Sequence, residues 1–244
     1  VSLMERGARK ITLTDAGRLL YQRAQHILEL TQTTVRELED LERGLAGTLR
    51  LGTVSTSGCA LLSSRMLRYH LQYPKVRFEI HEKNTYELIE LLKIGVIDAA
   101  IVRTPFNAEP FDCVYLDEEP MCAAMRPQHN WTAEQSISLS ELAGRPLTIY
   151  RRFENLLCAQ CNDAGFEPDI LCKSDDARTA IMWADAGLGV AIVPQSALSI
   201  LPGKHLVHKT IECPALVTRI AAIRMKNRFL PAAAQSLLQC FEQE

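Results

Sequence analysis

One proline-free stretch, residues 15–46 (DAGRLLYQRAQHILELTQTTVRELEDLERGLA), constrains this chain more than any other feature. Gly17 and Gly44 fall near its ends, and Leu20, Ala24, Ile27, Thr31, Thr34, Leu38, Leu41 and Leu45 recur at alternating steps of four and three. That spacing is a heptad seam, the pattern of a helix that packs lengthwise against another helix. At about 1.5 Å per residue the element reaches roughly 45–50 Å, too long for a core helix of a compact domain. Pairing with a second copy of the chain is the economical expectation; folding back onto its own domain is the alternative. Leu28, Leu30 and Val35 widen the apolar stripe, so the helix is expected to touch something besides its twin.

Before this helix stands LMERGARKITLTDAG, in which Gly7 and Ala8 separate Arg6 from Arg9 and Lys10, and Ile11 and Leu13 alternate with threonines. This reads as a short basic hairpin running into the helix. Arg6, Arg9 and Lys10 are the candidates for contact with a phosphate backbone, which would add affinity without sequence specificity. A solvated turn is the plainer alternative.

After Gly47 the periodicity changes. Residues 48–54 alternate as a strand, Ser55-Thr56-Ser57-Gly58 opens a helix running to about Tyr73, and residues 76–80 form the next strand. Asn84 and Glu87 make a capping box for a helix over 85–94, Gly95 closes it, and residues 97–102 form a third strand. A less regular stretch to Pro146 contains one crossover strand near 121–125. Alternation then resumes: strand 147–150, helix 154–164, strand 170–173, helix 176–186 and strand 190–193. The β-α-β order predicts mainly parallel sheets, here two of them linked twice, forming hinged lobes with a cleft between.

In such sheets ligands collect at the carboxyl ends of the strands. The polar residues there are Ser55, Thr56 and Ser57; Asn84 and Thr85; Arg103 and Thr104; and, in the second half, Arg151, Arg152, Phe153 and Asp175. Each has a structural alternative, since hydroxyls and Asx side chains cap helices without any ligand. Hydroxyls with two or three arginines suit a small carboxylate or another small organic anion.

A formal net charge of −2 excludes a chain that binds polyanions over its whole surface. No apolar run is long enough to span a membrane and the first residues lack a secretory signal, so the cytoplasm is the expected location. Eight cysteines are scattered without a disulfide framework; only Cys158 and Cys161 form a C-x-x-C pair, read as two semi-buried helical residues rather than a redox or zinc site. No G-x-S-x-G, H-E-x-x-H or Walker sequence occurs, His205 and His208 read as residues of a short surface strand, and no catalytic residue, metal or cofactor is expected.

Three separated strings carry a family resemblance. Leu3-Met4-Glu5-Arg6, Arg9-Lys10 and Leu13-Thr14-Asp15-Ala16-Gly17 look like the wing and linker start of LysR-type transcriptional regulators, with Met4 in place of the usual Phe. LLKIGVIDAAIV (91–102) and ADAGLGVAIVP (184–194) resemble two motifs of the family's effector domain. The resemblance implies an α/β fold: a remnant of a winged helix-turn-helix (1–14), a linker and dimerisation helix (15–46), and a two-lobed periplasmic-binding-protein-like effector domain of type 2 (47–244). Lobe I would take about 47–122 plus 211–244, and lobe II about 123–210. In the family the recognition helix precedes the wing, so the chain is expected to be an N-terminally truncated member. The family's cleft is lined by residues matching Ser55, Thr56, Thr85 and the loop after strand three. DNA in the full-length protein, a small-molecule effector and further copies of the chain, up to a homotetramer, are the implied partners. A solute receptor or an enzyme of the same fold is the competing expectation.

Overall fold

The computed structural model describes residues 1–6, 11–43, 46–58, 61–200 and 206–242. The expected N-terminal hairpin is present: β1 (Met4–Arg6) pairs antiparallel with β2 (Ile11–Leu13), Met4 opposite Leu13 and Arg6 opposite Ile11. Arg9 and Lys10 lie outside the described residues. Helix α1 (Asp15–Arg43) follows directly. Thr14 starts it, its hydroxyl accepting from the Gly17 amide at 3.0 Å while its own amide donates to the Leu3 carbonyl at 3.1 Å. Gly17 is required there, because a Cβ would stand 1.9 Å from that same carbonyl oxygen.

Lobe I is built on β3 (Gly47–Thr53), β4 (Val76–Glu82) and β5 (Ala99–Arg103), with β3 parallel to both neighbours. The helices between them are the short α2 (Ser55–Gly58), α3 (Leu61–Gln72) and α4 (Thr85–Lys93). The stretch expected as one helix from Ser55 is described as these two pieces, residues 59 and 60 lying outside the described set. β5 is buried along its whole length, as a parallel strand covered on both faces must be. One cover is α3 with the C-terminal α7 (Ala232–Glu242), where Tyr69, Leu237 and Phe241 pack on Leu49 and Ile101; the other is α4, through Leu88, Ile89 and Leu92.

The irregular middle is where expectation and structure differ. The crossover strand is not confined to 121–125: β6 runs from Phe111 to Met125. Its first part pairs antiparallel with β12 (Val217–Met225), which in turn pairs with β5. From Met121 it changes partners, to β10 (Val190–Pro194) and β11 (Val207–Glu212). The two expected sheets therefore share a strand and form a single hydrogen-bonded path, β4-β3-β5-β12-β6-β10-β8-β9. In lobe II, β8 (Leu147–Tyr150) is parallel to β9 (Ile170–Ser174) and β10, and a short β7 (Ser136–Ser138) extends the edge beside β11. Helices α5 (Glu154–Asp163) and α6 (Ala177–Ala186) pack Leu157, Cys161, Ala180, Ile181 and Ala184 on that sheet.

Two connections join the lobes, β6 itself and the return between β11 and β12. The turn from α6 into β10 is also strict. Gly189 has φ +123°, and a Cβ there would lie 2.2 Å from the Pro146 carbonyl oxygen, which accepts from the Val190 amide to hold β10 beside β8. Gly189→Ala combines backbone strain with a clash against fixed backbone, and should cost about 2–4 kcal/mol of stability. Thermal unfolding checks this; an unchanged midpoint would contradict the reading of this turn.

Candidate functional site

The carboxyl ends of the parallel strands of both lobes face one another across a crevice, so loops far apart in sequence meet there. A cavity of about 160 Å³ between them is lined by Ser55, Glu82, Lys83, Asn84, Glu87, Tyr150, Asp175 and Asp176. Of the sequence-derived candidates, Ser55, Asn84 and Asp175 line it directly.

The others occupy defined positions nearby. Thr56 and Thr85 are buried, and Thr85 exchanges hydrogen bonds with the backbone of Arg103, at 3.4 and 3.5 Å. Asn84 has the capping role its spacing indicated, its side chain accepting from the Tyr86 and Glu87 amides at 3.0 Å each. Thr104 ties β5 to β12: its carbonyl oxygen accepts from the Thr218 hydroxyl at 3.0 Å and its hydroxyl oxygen accepts from the Arg219 amide at 2.9 Å. Phe153 is buried edge-on to Tyr150. Ser57 lies within α2; its side chain falls outside the described set, as does that of Arg6 in β1.

Two of the three expected arginines are paired with carboxylates. Arg103, only 1% exposed, pairs with Glu119 of β6 and donates to the Ser196 hydroxyl at 3.0 Å. Glu119 also accepts from the Ser196 amide at 2.7 Å and its hydroxyl at 3.1 Å, so this buried network fastens lobe I to the 3-10 turn after β10 in lobe II. Arg151 is exposed and faces Asp175 at 3.3 Å. The helix expected to begin beside Asp175 is capped instead by Asp176, because its carboxylate is the one that reaches the Arg178 amide, at 2.8 Å.

A second link crosses the crevice at Arg178, which pairs with Asp176 at 2.6 Å and with Glu82 of lobe I at 2.5 Å. Burial pushes the Asp176 carboxyl up, but hydrogen bonds from Arg178 outweigh it, with a smaller contribution from Ser55, and hold it below the ordinary carboxylate value. Sequence reasoning missed Glu82, Glu119, Tyr150, Asp176, Arg178 and Ser196, and named Arg152 only as one of the polar residues following strand 147–150. That guanidinium donates across the crevice to the carbonyls of Arg103 and, at 2.7 Å, Pro105.

Nothing among the described residues groups three His, Cys, Asp or Glu side chains to hold a metal, and no described helix is long and apolar enough to cross a membrane. In α5, Cys161 is buried and pushed up to about 11, Cys158 half-buried and also raised, so both are held as thiols. His208 lies on β11; His205 falls outside the described residues.

A two-lobed α/β domain carried behind a long helix and a short hairpin defines a class, and comparison with known proteins identifies it. Residues 42–244 match the LysR substrate binding domain. The chain is 27% identical over 248 residues to the HTH-type transcriptional regulator BsdA of Bacillus subtilis, covering 99% of this chain and 85% of that protein. Among solved structures it superposes on full-length CbnR complexed with its target DNA (TM-score 0.70, 23% identity, 100% of this chain and 84% of that one). It also superposes on the effector-binding domain of QuiR in complex with shikimate (TM-score 0.70, 17% identity, 80% and 95%). The chain belongs to the LysR-type transcriptional regulators, and its two lobes are the family's effector-binding domain.

Because the Asp176 carboxyl is lowered in the fold, its contribution to stability is complete above the ordinary carboxylate range and is lost as pH falls through its folded value. The stability difference between the wild type and Asp176→Asn should therefore favour the wild type near pH 6 and shrink toward about pH 3. Urea unfolding across that range measures it, and a pH-independent difference would contradict the assignment.

Proposed function

We propose that two copies of this chain pair through α1, and that a small effector held between the lobes biases the assembly and, through it, promoter binding. Control of this kind requires only that the effector bind one arrangement of lobes and subunits better than another. The observation that carries the reading is the state of the linker helix. Leu20, Ile27, Leu28 and Val35 are each more than half exposed on α1, a stripe that folding back onto its own domain would have covered.

The organisation follows: wing over 1–14, linker helix over 15–46, effector domain from 47, with DNA contact by Arg6, Arg9 and Lys10 and by the recognition helix that precedes the wing in the family. Exposed Leu67 and Leu71 on α3, Ile80 on the edge strand β4 and Leu171 on the edge strand β9 supply apolar surface for a second contact between effector domains, which favours a tetramer. A promoter-binding role places the protein in the cytoplasm. It acts by binding rather than catalysis, a reading supported by its relatives, which are transcriptional regulators.

Sedimentation velocity tests the assembly. The wild type should run as a dimer or tetramer, and Leu20→Glu with Ile27→Glu should yield monomers with unchanged circular dichroism of the effector domain. A wild-type monomer at micromolar concentration would favour a solute receptor or an enzyme instead.

A further inference from the structure

The crevice contains a cation that no carboxylate among the described residues neutralises. Arg152 follows β8 in a 3-10 turn, and its guanidinium stands over the Tyr86 ring at 5.1 Å and the Phe153 ring at 5.7 Å. Its Nη2 donates to the carbonyls of Arg103 and Pro105, and the Tyr86 phenol is a further, neutral partner. No carboxylate among the described residues pairs with it, in contrast to Arg103, Arg151 and Arg178. Its Nε and Nη1 are buried without an acceptor.

Such a group is costly. A buried N–H without a partner forfeits about 1–3 kcal/mol, and a buried charge without a counter-ion forfeits more. Burial lowers Arg152 and neighbouring Arg103 adds to the effect, opposed by the Tyr150 and Tyr86 phenols. Two further buried atoms in the same region lack partners: Arg103 Nε, and the hydroxyl of Thr56 in α2, a turn that packs across the crevice against α6 and the turn holding Ser196. Every one of these atoms can donate a hydrogen bond. What they share is a demand for an acceptor, and beside Arg152 for a negative one.

The two ends of the crevice differ in sign. Glu82, Glu87, Asp175 and Asp176 line the cavity with Lys83; Glu82, Asp175 and Asp176 are each matched by Arg178 or Arg151, and Glu87 accepts from the Asn84 cap. Arg152 lies beyond Tyr150, the lining residue that links the two regions; its phenol responds to Arg152 and to Asp176 alike. The cavity, at about 160 Å³, is close to the volume that takes up a benzene ring.

We infer that Arg152, not Arg103 or Arg151, is the residue that reads the effector's charge, and that the effector is a ring-sized carboxylate whose anionic group docks on Arg152 between Tyr86 and Phe153. The inference rests on the effector-crevice reading above and assigns the ligand class to it. It also explains how binding would report to the lobes. Arg152 already reaches from lobe II to the Arg103 and Pro105 carbonyls of lobe I, so a carboxylate on its free nitrogens joins an existing contact between the two halves.

Isothermal titration with benzoate and shikimate as probes, each against its uncharged counterpart, benzamide and methyl shikimate, tests this on the wild type, Arg152→Gln and Arg152→Lys. The expected result is saturable binding of at least one carboxylate by the wild type, with its neutral counterpart at least tenfold weaker. Affinity should fall about 10- to 100-fold in Arg152→Gln and be partly retained in Arg152→Lys. Thermal unfolding of the unliganded variants confirms that both fold. Carboxylate and neutral probe binding equally, with Arg152→Gln unaffected, would overturn the charge assignment and leave the effector crevice standing. A loss of stability in Arg152→Gln with an unchanged preference for carboxylate would reduce Arg152 to a structural clasp. No saturable binding of either carboxylate would also overturn the inference, while the oligomeric state still judges the regulator reading separately.

Discussion

A guanidinium placed at the end of a fully buried strand has to find a counter-charge, and in this protein that requirement ties the two lobes together. Arg103 ends β5 with almost no contact with solvent. Removing such a charge from water costs several kcal/mol, which is recovered only through a well-oriented partner and further hydrogen bonds. Glu119 supplies the partner because β6 runs beside β12 on the lobe I side, one position before Pro120 and the change of sheet. Both its oxygens also engage Ser196 of lobe II. The ion pair thus sits where the shared strand passes between lobes, and fixes the approach of the two sets of strand ends.

That geometry gives the crevice its chemistry. Parallel strands bring their carboxyl ends to one side in each lobe, and the shared strand aims the two sides at each other. Beyond the buried pair lie the more exposed Glu82–Arg178–Asp176 bridge and Arg152, which contacts lobe I through the Arg103 and Pro105 carbonyls and the Tyr86 ring. The deep network is suited to hold the lobes in register. The outer contacts, partly solvated and individually weak, are the ones a ligand can rearrange. A regulator needs this division between a fixed pivot and adjustable contacts, since an effector shifts an equilibrium only by its preference for one arrangement.

Much of the fold is legible in the residues because local rules suffice for it. The Asn84 and Glu87 spacing forecasts the capping box that is present, Gly187 and Gly189 mark the end of α6, and the apolar runs at 147–150 and 190–193 become strands buried on both faces. The first part of β6 is hidden by its own composition: FDCVYLDEEP mixes acids with a proline, which disfavours a strand in isolation, and pairing with β12 together with packing of Phe111, Val114 and Leu116 on the lobe I core stabilises it. The site residues divide the same way. Ser55, Asn84 and Asp175 are found by counting to strand ends. Glu119 and Ser196 enter through contacts spanning 16 to 93 positions, and the choice between Arg151 and Arg152 depends on which way a 3-10 turn directs each side chain, for which no periodicity exists.

The claim that one buried charge network sets the relation of the lobes is tested most directly by a double-mutant cycle on Arg103 and Glu119, using methionine at each position and urea unfolding as the readout. Each single replacement should cost about 3–5 kcal/mol, because it strands the other charge in a dry site, and the double replacement should recover most of that loss. If the two single effects simply add, the pair is not the fastening between the lobes and the account fails at its base.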